Sequence, residues 1–88
     1  PVGVSFTGWA ATNVREQQWH HTQKIVHDDG HEVVAEFFLG DMREFKRWVL
    51  GFGRCAEVLS PDSLREEIRT EISEMSQAYA CPRVSPSP

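Results

Sequence analysis

The stretch Asp41–Pro61, DMREFKRWVLGFGRCAEVLSP, holds a capped helix, a glycine stop, a short strand and the start of a further helix. Met42, Phe45, Trp48, Val49 and Phe52 recur at i, i+3, i+6, i+7 and i+10, one apolar stripe on a helix of 3.6 residues per turn. Asp41 is placed to cap the first turn, with Glu44 three residues on reaching back in a capping-box arrangement. Gly51 and Gly53 are expected to supply the left-handed exit that a β-carbon would penalise. Ala56–Leu59 then reads as a short strand. Ser60 is expected as the N-cap of the last helix, with Pro61 at its first position and Asp62 in its first turn.

Upstream of this stretch, Val33, Ala35, Phe37 and Leu39 alternate with Glu32, Val34, Glu36 and Phe38. The first set makes an apolar strand face that must meet helices; the second makes a mixed face that can stay partly open. Asp28-Asp29-Gly30 before it is a turn signal, since glycine after aspartate accepts positive φ without steric cost. Trp19–Glu36 as a whole therefore reads as a hairpin. Further upstream, Val2, Val4 and Phe6 alternate with Gly3 and Ser5 as a half-buried strand. Thr7 is placed to cap a short, weak helix over residues 9–17, carried by Ala10, Ala11 and Val14 and weakened by Asn13 at its middle.

Downstream, Leu64, Ile68, Ile72, Met75 and Tyr79 form the apolar side of an amphipathic helix of about five turns. Residues 81–88, with three prolines, are expected to be a disordered Pro/Ser-rich tail, which leaves residues 1–80 as one domain. Strand, helix, strand, strand, helix, strand is the ferredoxin-like βαββαβ plan. The expected fold is α+β: a four-stranded antiparallel sheet with two helices on one face, plus a C-terminal helix.

Composition narrows the function classes. Eighty-eight residues with 40% apolar content make one small domain that hides about two thirds of its unfolded surface. Thirteen acidic against nine basic residues give a net charge of −4, which argues against a domain whose main task is to grip duplex DNA by its phosphates. No apolar run approaches a membrane span, and there is no signal-peptide pattern. Cys55 and Cys81 do not make a disulfide framework, so a reducing cytoplasm is the expected location. The chain opens in a strand-like run without Met, as expected of a piece excised from a longer protein.

Candidate chemistry is sparse. Ser5, Ser60 and Ser63 lack a nucleophile elbow, and Ser60 and Ser63 read as caps. Nothing places an oriented base beside Cys55. The chain is read as no enzyme, with no catalytic residues and no cofactor. His20, His21, His27 and His31 cluster around the hairpin, but their spacing is not that of a zinc site, so no metal is expected. Trp19, His20, Gln23 and Lys24 bring an aromatic ring, an amide and a cation together, the group that can stack on a base and bond its edge or phosphate. Taken alone, Trp19 reads as a core anchor at the helix-to-strand corner. Arg43 and Arg47 lie opposite the apolar stripe, with Lys46, and Arg54 follows its exit. They form a candidate patch for phosphate or an acidic partner. The plainer expectation is a wet helix face on which Glu44 pairs with Arg47.

Trp19-His20-His21-Thr22-Gln23, Asp29-Gly30, Arg43-Glu44-Phe45, Trp48-Val49-Leu50-Gly51-Phe52-Gly53 and Glu57-Val58-Leu59-Ser60-Pro61 with Leu64-Arg65 together carry a resemblance that runs to Tyr79. The chain resembles the C-terminal extension (WCX) domain of bacterial WYL-domain transcriptional regulators, and the segment from Leu50 to Pro61 is the most specific part. Such regulators carry a winged helix-turn-helix, a WYL domain with an Sm-like barrel, and this extension with a ferredoxin-like fold. The resemblance implies an effector-sensing or dimer-organising role, with a nucleic-acid effector such as single-stranded DNA. It implies as partners a WYL domain of the same or a partner chain, and a homodimer of the full-length protein. A purely structural dimerisation module and a small-molecule-binding domain are the alternatives. The helix-turn-helix and WYL domain are absent from this chain, so a site shared between domains is here at most half present.

Overall fold

The computed structural model describes residues 1–80; the expected tail lies outside the described residues. The elements run β1 (Val2–Thr7), α1 (Gly8–Glu16), β2 (Lys24–Asp28), β3 (Glu32–Phe37), α2 (Met42–Leu50), a 3-10 turn (Gly53–Cys55), β4 (Ala56–Ser60) and α3 (Asp62–Ala80). The sheet order is β2-β3-β1-β4, antiparallel throughout, which is the ferredoxin-like arrangement expected.

Register explains the layering. Val2, Val4 and Phe6 of β1 stand opposite Phe37, Ala35 and Val33 of β3, and Val4 also faces Val58 of β4. All of these are buried, together with Ala10, Ala11 and Val14 of α1 and Phe45 and Val49 of α2. Gly3, Ser5 and Thr7 face Glu36, Val34 and Glu32 on the other side of the sheet, where Glu57 also stands opposite Ser5 and Lys24 opposite Glu36. Each buried Phe, Val or Leu removes enough surface from water to contribute about 1.5–3 kcal/mol. α1 is further held to β2 by a bidentate contact of Arg15 with Asp28 at 2.8 and 2.9 Å.

Five local expectations change in three dimensions, the first being that Thr7 precedes α1 without a side-chain cap bond. The hairpin is shorter than its alternation suggests: residues 19–23 form a turn, closed by the Gln23 N–H donating to the His20 carbonyl at 3.0 Å. β2 itself is an exposed edge strand with a bulge between Ile25 and His27. At the end of α2, Gly51 stays right-handed at φ −65°, its N–H shared between the Arg47 and Trp48 carbonyls. The left-handed step is taken by Gly53 alone, at φ +60°. Asp41 caps α2 through its contact with the Arg43 N–H at 2.9 Å, but Glu44 completes no reciprocal bond among the described residues. Ser60 belongs to β4, opposite Gly3, and the Pro61 carbonyl takes the first helical bond of α3 from the Arg65 N–H at 3.1 Å. α3 begins at Asp62, which puts Pro61 and not Ser60 next to its first residue.

The stripe of α3 divides in two. Leu64 and Ile68 enter the core, whereas Ile72, Met75 and Tyr79 are exposed, Tyr79 at 88%. At 1.5 Å per residue a helix of 19 residues spans about 28 Å, and the molecule measures 49 × 26 × 20 Å.

Candidate functional site

Aromatic rings organise the region between α1, β3 and α2. Trp48, half-buried, lies edge-on to Phe6, Phe37 and Phe52 with centroids 5.8, 5.8 and 5.0 Å away, and tilted on Phe45 at 5.3 Å. Pairs of this geometry contribute about 0.5–1.5 kcal/mol each beyond their buried area. At the rim of the set stands Trp19, 5.9 Å from Trp48. Trp19 is 46% exposed and so is not the core anchor expected from its position in the chain. It sits at the rim because the loop that carries it is pinned from outside the core.

That pinning is specific. The Trp19 indole Nε1–H donates to Asn13 Oδ1 at 2.9 Å, which gives the helix-weakening Asn13 a purpose. The Trp19 backbone N–H donates to Gln23 Oε1 at 2.9 Å, while Gln23 Nε2 donates to the carbonyls of Val14 and Gln17 at 3.2 and 3.1 Å. Gln18 Nε2 adds a bond to the His21 carbonyl at 3.2 Å. Thr22 Oγ1 donates to the Phe38 carbonyl and accepts from its N–H, at 3.1 and 2.9 Å, which ties the loop to the end of β3. His20 Nδ1 lies 2.7 Å from the same hydroxyl, and its ring stacks on His21 at 4.4 Å.

Between Trp19, His20 and the start of α2 opens a cleft of about 400 Å³. Phe37, Phe45 and Trp48 form its apolar lining, and Asp41 and Glu44 stand on the α2 side. The Arg43 backbone N–H, and secondarily its guanidinium, holds the Asp41 carboxyl below the usual carboxylate range. Glu44 is exposed and makes no ion pair among the described residues, including the expected one with Arg47.

Of the residues singled out from the sequence, Trp19 and His20 thus share one cleft. Gln23 lies behind it with its amide fully engaged in the loop, and Lys24 stands on the exposed edge strand opposite Glu36. Arg43 and Arg47 share a shallow depression on the outer side of α2 with Lys46 and Leu50, where Glu71 of α3 approaches Lys46 at 4.0 Å. Arg54 is apart from them, in an apolar groove with Leu50, Ile72, Met75 and Tyr79. The four histidines do not converge. His27 alone meets carboxylates: its Nε2 is 3.5 Å from Asp29 Oδ2, and His27, Asp29 and Glu32 offer ligand atoms within 4.8 Å of one another. Asp29 already accepts the His31 and Glu32 N–H groups at 2.9 and 2.8 Å, a turn-closing role.

In the sequence, Trp48, Asp41 and Glu44 mark a helix and its start only. Their place in the cleft depends on a contact between residues 19 and 48 that no local pattern announces. No helix among the described residues is long and apolar enough to cross a membrane. Residues 1–76 match the family described as the WCX domain. No curated protein matches the chain.

Proposed function

Since the chain belongs to the WCX domain family, we propose that it is the effector-sensing and assembly module of a bacterial DNA-binding transcription regulator, acting in the cytoplasm by conformation and not by catalysis. The observation that carries this reading is the rigidly held, exposed Trp19 at the mouth of an aromatic cleft, on the opposite side of α2 from its basic residues. An aromatic ring kept out of the core by polar bonds on both its indole nitrogen and its backbone is poised for contact with something outside the domain. Engagement there changes how the domain packs on a WYL domain of the same or a partner chain. That shift biases the distant DNA-binding domains by as much as the ligand's differential affinity for the two arrangements. A nucleic-acid effector such as single-stranded DNA would instead run its phosphates over Arg43, Lys46 and Arg47, on the face of α2 away from the cleft. The test is a titration of the full-length regulator with short single-stranded oligonucleotides, followed by tryptophan fluorescence and repeated at higher salt. A salt-weakened response lost in an Arg43→Ala/Arg47→Ala variant supports the nucleic-acid form, and no response to any oligonucleotide removes it.

The exposed end of α3 favours a second reading, a dimerisation module. Ile72, Met75 and Tyr79 face a groove of about 440 Å³ bounded by Val49, Leu50 and Arg54, and a second chain of a homodimer would cover them. Light scattering decides: a strict monomer at high concentration argues against dimerisation by this domain alone.

A further inference from the structure

We propose that the cleft between Trp19 and Trp48 recognises an organic cation, a guanidinium or ammonium group held against the indole rings by the Glu44 carboxylate. This names the ligand class of the sensing surface described above and rests on that reading.

The cleft selects its ligand through its lining. Its walls are aromatic, and tryptophan presents the most favourable ring face to a cation. Among the described residues its lining carries the carboxylates of Asp41 and Glu44, beside the His20 imidazole, and no lysine or arginine. An anionic phosphate placed there would meet two negative charges, and a neutral group would leave Glu44 unpaired. Asp41 is partly satisfied already, since it accepts the Arg43 N–H and lies 3.4 Å from the Arg43 guanidinium. Arg43 itself is 88% exposed and does not border the cleft. Glu44 is the open carboxylate. A planar guanidinium suits the site best, because it can stack on an indole while directing its N–H groups to a carboxylate at the edge. Trp19 is fixed through Asn13 and Gln23 before any ligand arrives, so little side-chain entropy is lost on binding.

The test uses the isotope-labelled 88-residue chain, titrated with N-acetyl-arginine amide and, in parallel, with the uncharged isostere N-acetyl-citrulline amide. The indole N–H resonances report directly. Those of Trp19 and Trp48 are expected to move in a saturable way with the arginine derivative. Trp9, which packs on Phe52 away from the cleft, is the internal control and stays still. The citrulline derivative is expected to bind about threefold more weakly or worse, having neither the cation–ring attraction nor the charge pair. Glu44→Gln should weaken the arginine derivative by about two- to fivefold, and Glu67→Gln on the exposed side of α3 should not.

Equal responses to the two derivatives would overturn the proposal, as would unchanged affinity in Glu44→Gln. So would movement of Trp19 and Trp48 by a short oligothymidylate but not by the arginine derivative. The same titration on the full-length regulator separates two sources of the cation. If a free ligand fills the cleft, the resonances shift as in the isolated chain. If an arginine or lysine of a neighbouring domain fills it, they already lie at the saturated position. The regulatory reading fails on different grounds, namely when the full-length protein's DNA affinity ignores every occupant of this domain.

Discussion

Gln23→Ala removes the amide that ties the loop of residues 19–23 to the end of α1. Three hydrogen bonds disappear together: the Trp19 N–H to Oε1 at 2.9 Å, and Nε2 to the carbonyls of Val14 and Gln17 at 3.2 and 3.1 Å. A bond of this kind contributes about 0.5–1.5 kcal/mol net, so the set sums to roughly 3 kcal/mol. Gln23 is only half-buried, and water takes over part of the freed carbonyl and amide groups. The expected loss is therefore about 2 kcal/mol. At roughly 4–8 °C per kcal/mol for a domain of this size, Tm falls by about 10 °C. Urea unfolding followed by circular dichroism measures the first quantity, with the slope on denaturant unchanged if the native state stays compact. Gln23→Glu sharpens the test: it keeps an acceptor for Trp19 but points a carboxylate at two carbonyl oxygens, and should be at least as damaging. If both variants lose less than about 0.5 kcal/mol, the level of an ordinary surface substitution, the loop holds itself without the clamp. Gln23 would then be free for a ligand, as its composition first suggests.

Two further outcomes are expected. The N–H groups of Glu32 and then His31 hold the Asp29 carboxyl down at about 2. A folded value below the unfolded one, about 3.9, adds stability that is present above the unfolded value and lost as pH falls through the folded one. Asp29→Asn keeps an acceptor oxygen but does not titrate, so the wild-type advantage in urea unfolding should shrink between about pH 4 and pH 2; a constant difference across that window would refute the assignment. At Gly53, φ is +60° and an added Cβ would meet nothing within 4 Å, so the cost of Gly53→Ala is conformational alone. About 1 kcal/mol is expected by chemical denaturation, with Gly53→Asn recovering part of it.

How far the fold was legible follows from the range of the interactions involved. The alternation over Val33–Leu39 and the stripe from Met42 to Phe52 report which side of each element is apolar, and register turns those sides into one core. The errors fall where two local preferences compete. Ser60 could open α3 or close β4, and it closes β4, with α3 starting two residues later. Gly51 and Gly53 could each supply a left-handed step, and one suffices once the helix tightens its last turn. The strand pattern from Trp19 to Gln23 is overridden by side-chain bonds to α1 and β3. The family resemblance, resting largely on residues such as Phe52, Gly53 and Val58 that the fold itself requires, held over residues 1–76.

By itself, then, the sequence determined the order of elements and which faces are apolar, because helical and strand periodicities are written in consecutive residues, and its motifs marked the family. It could not determine the cleft. Trp19 looks like a core residue in the chain because its neighbours in sequence say only that it is large and apolar. Asn13, Gln23 and Trp48 together hold it at the surface, and the partners of one side chain across 6, 4 and 29 positions are set only when helix, loop and sheet close on one another. Asp41 and Glu44 likewise read as helix-start residues, and only the packing of α2 against β3 brings their charge to that aromatic mouth.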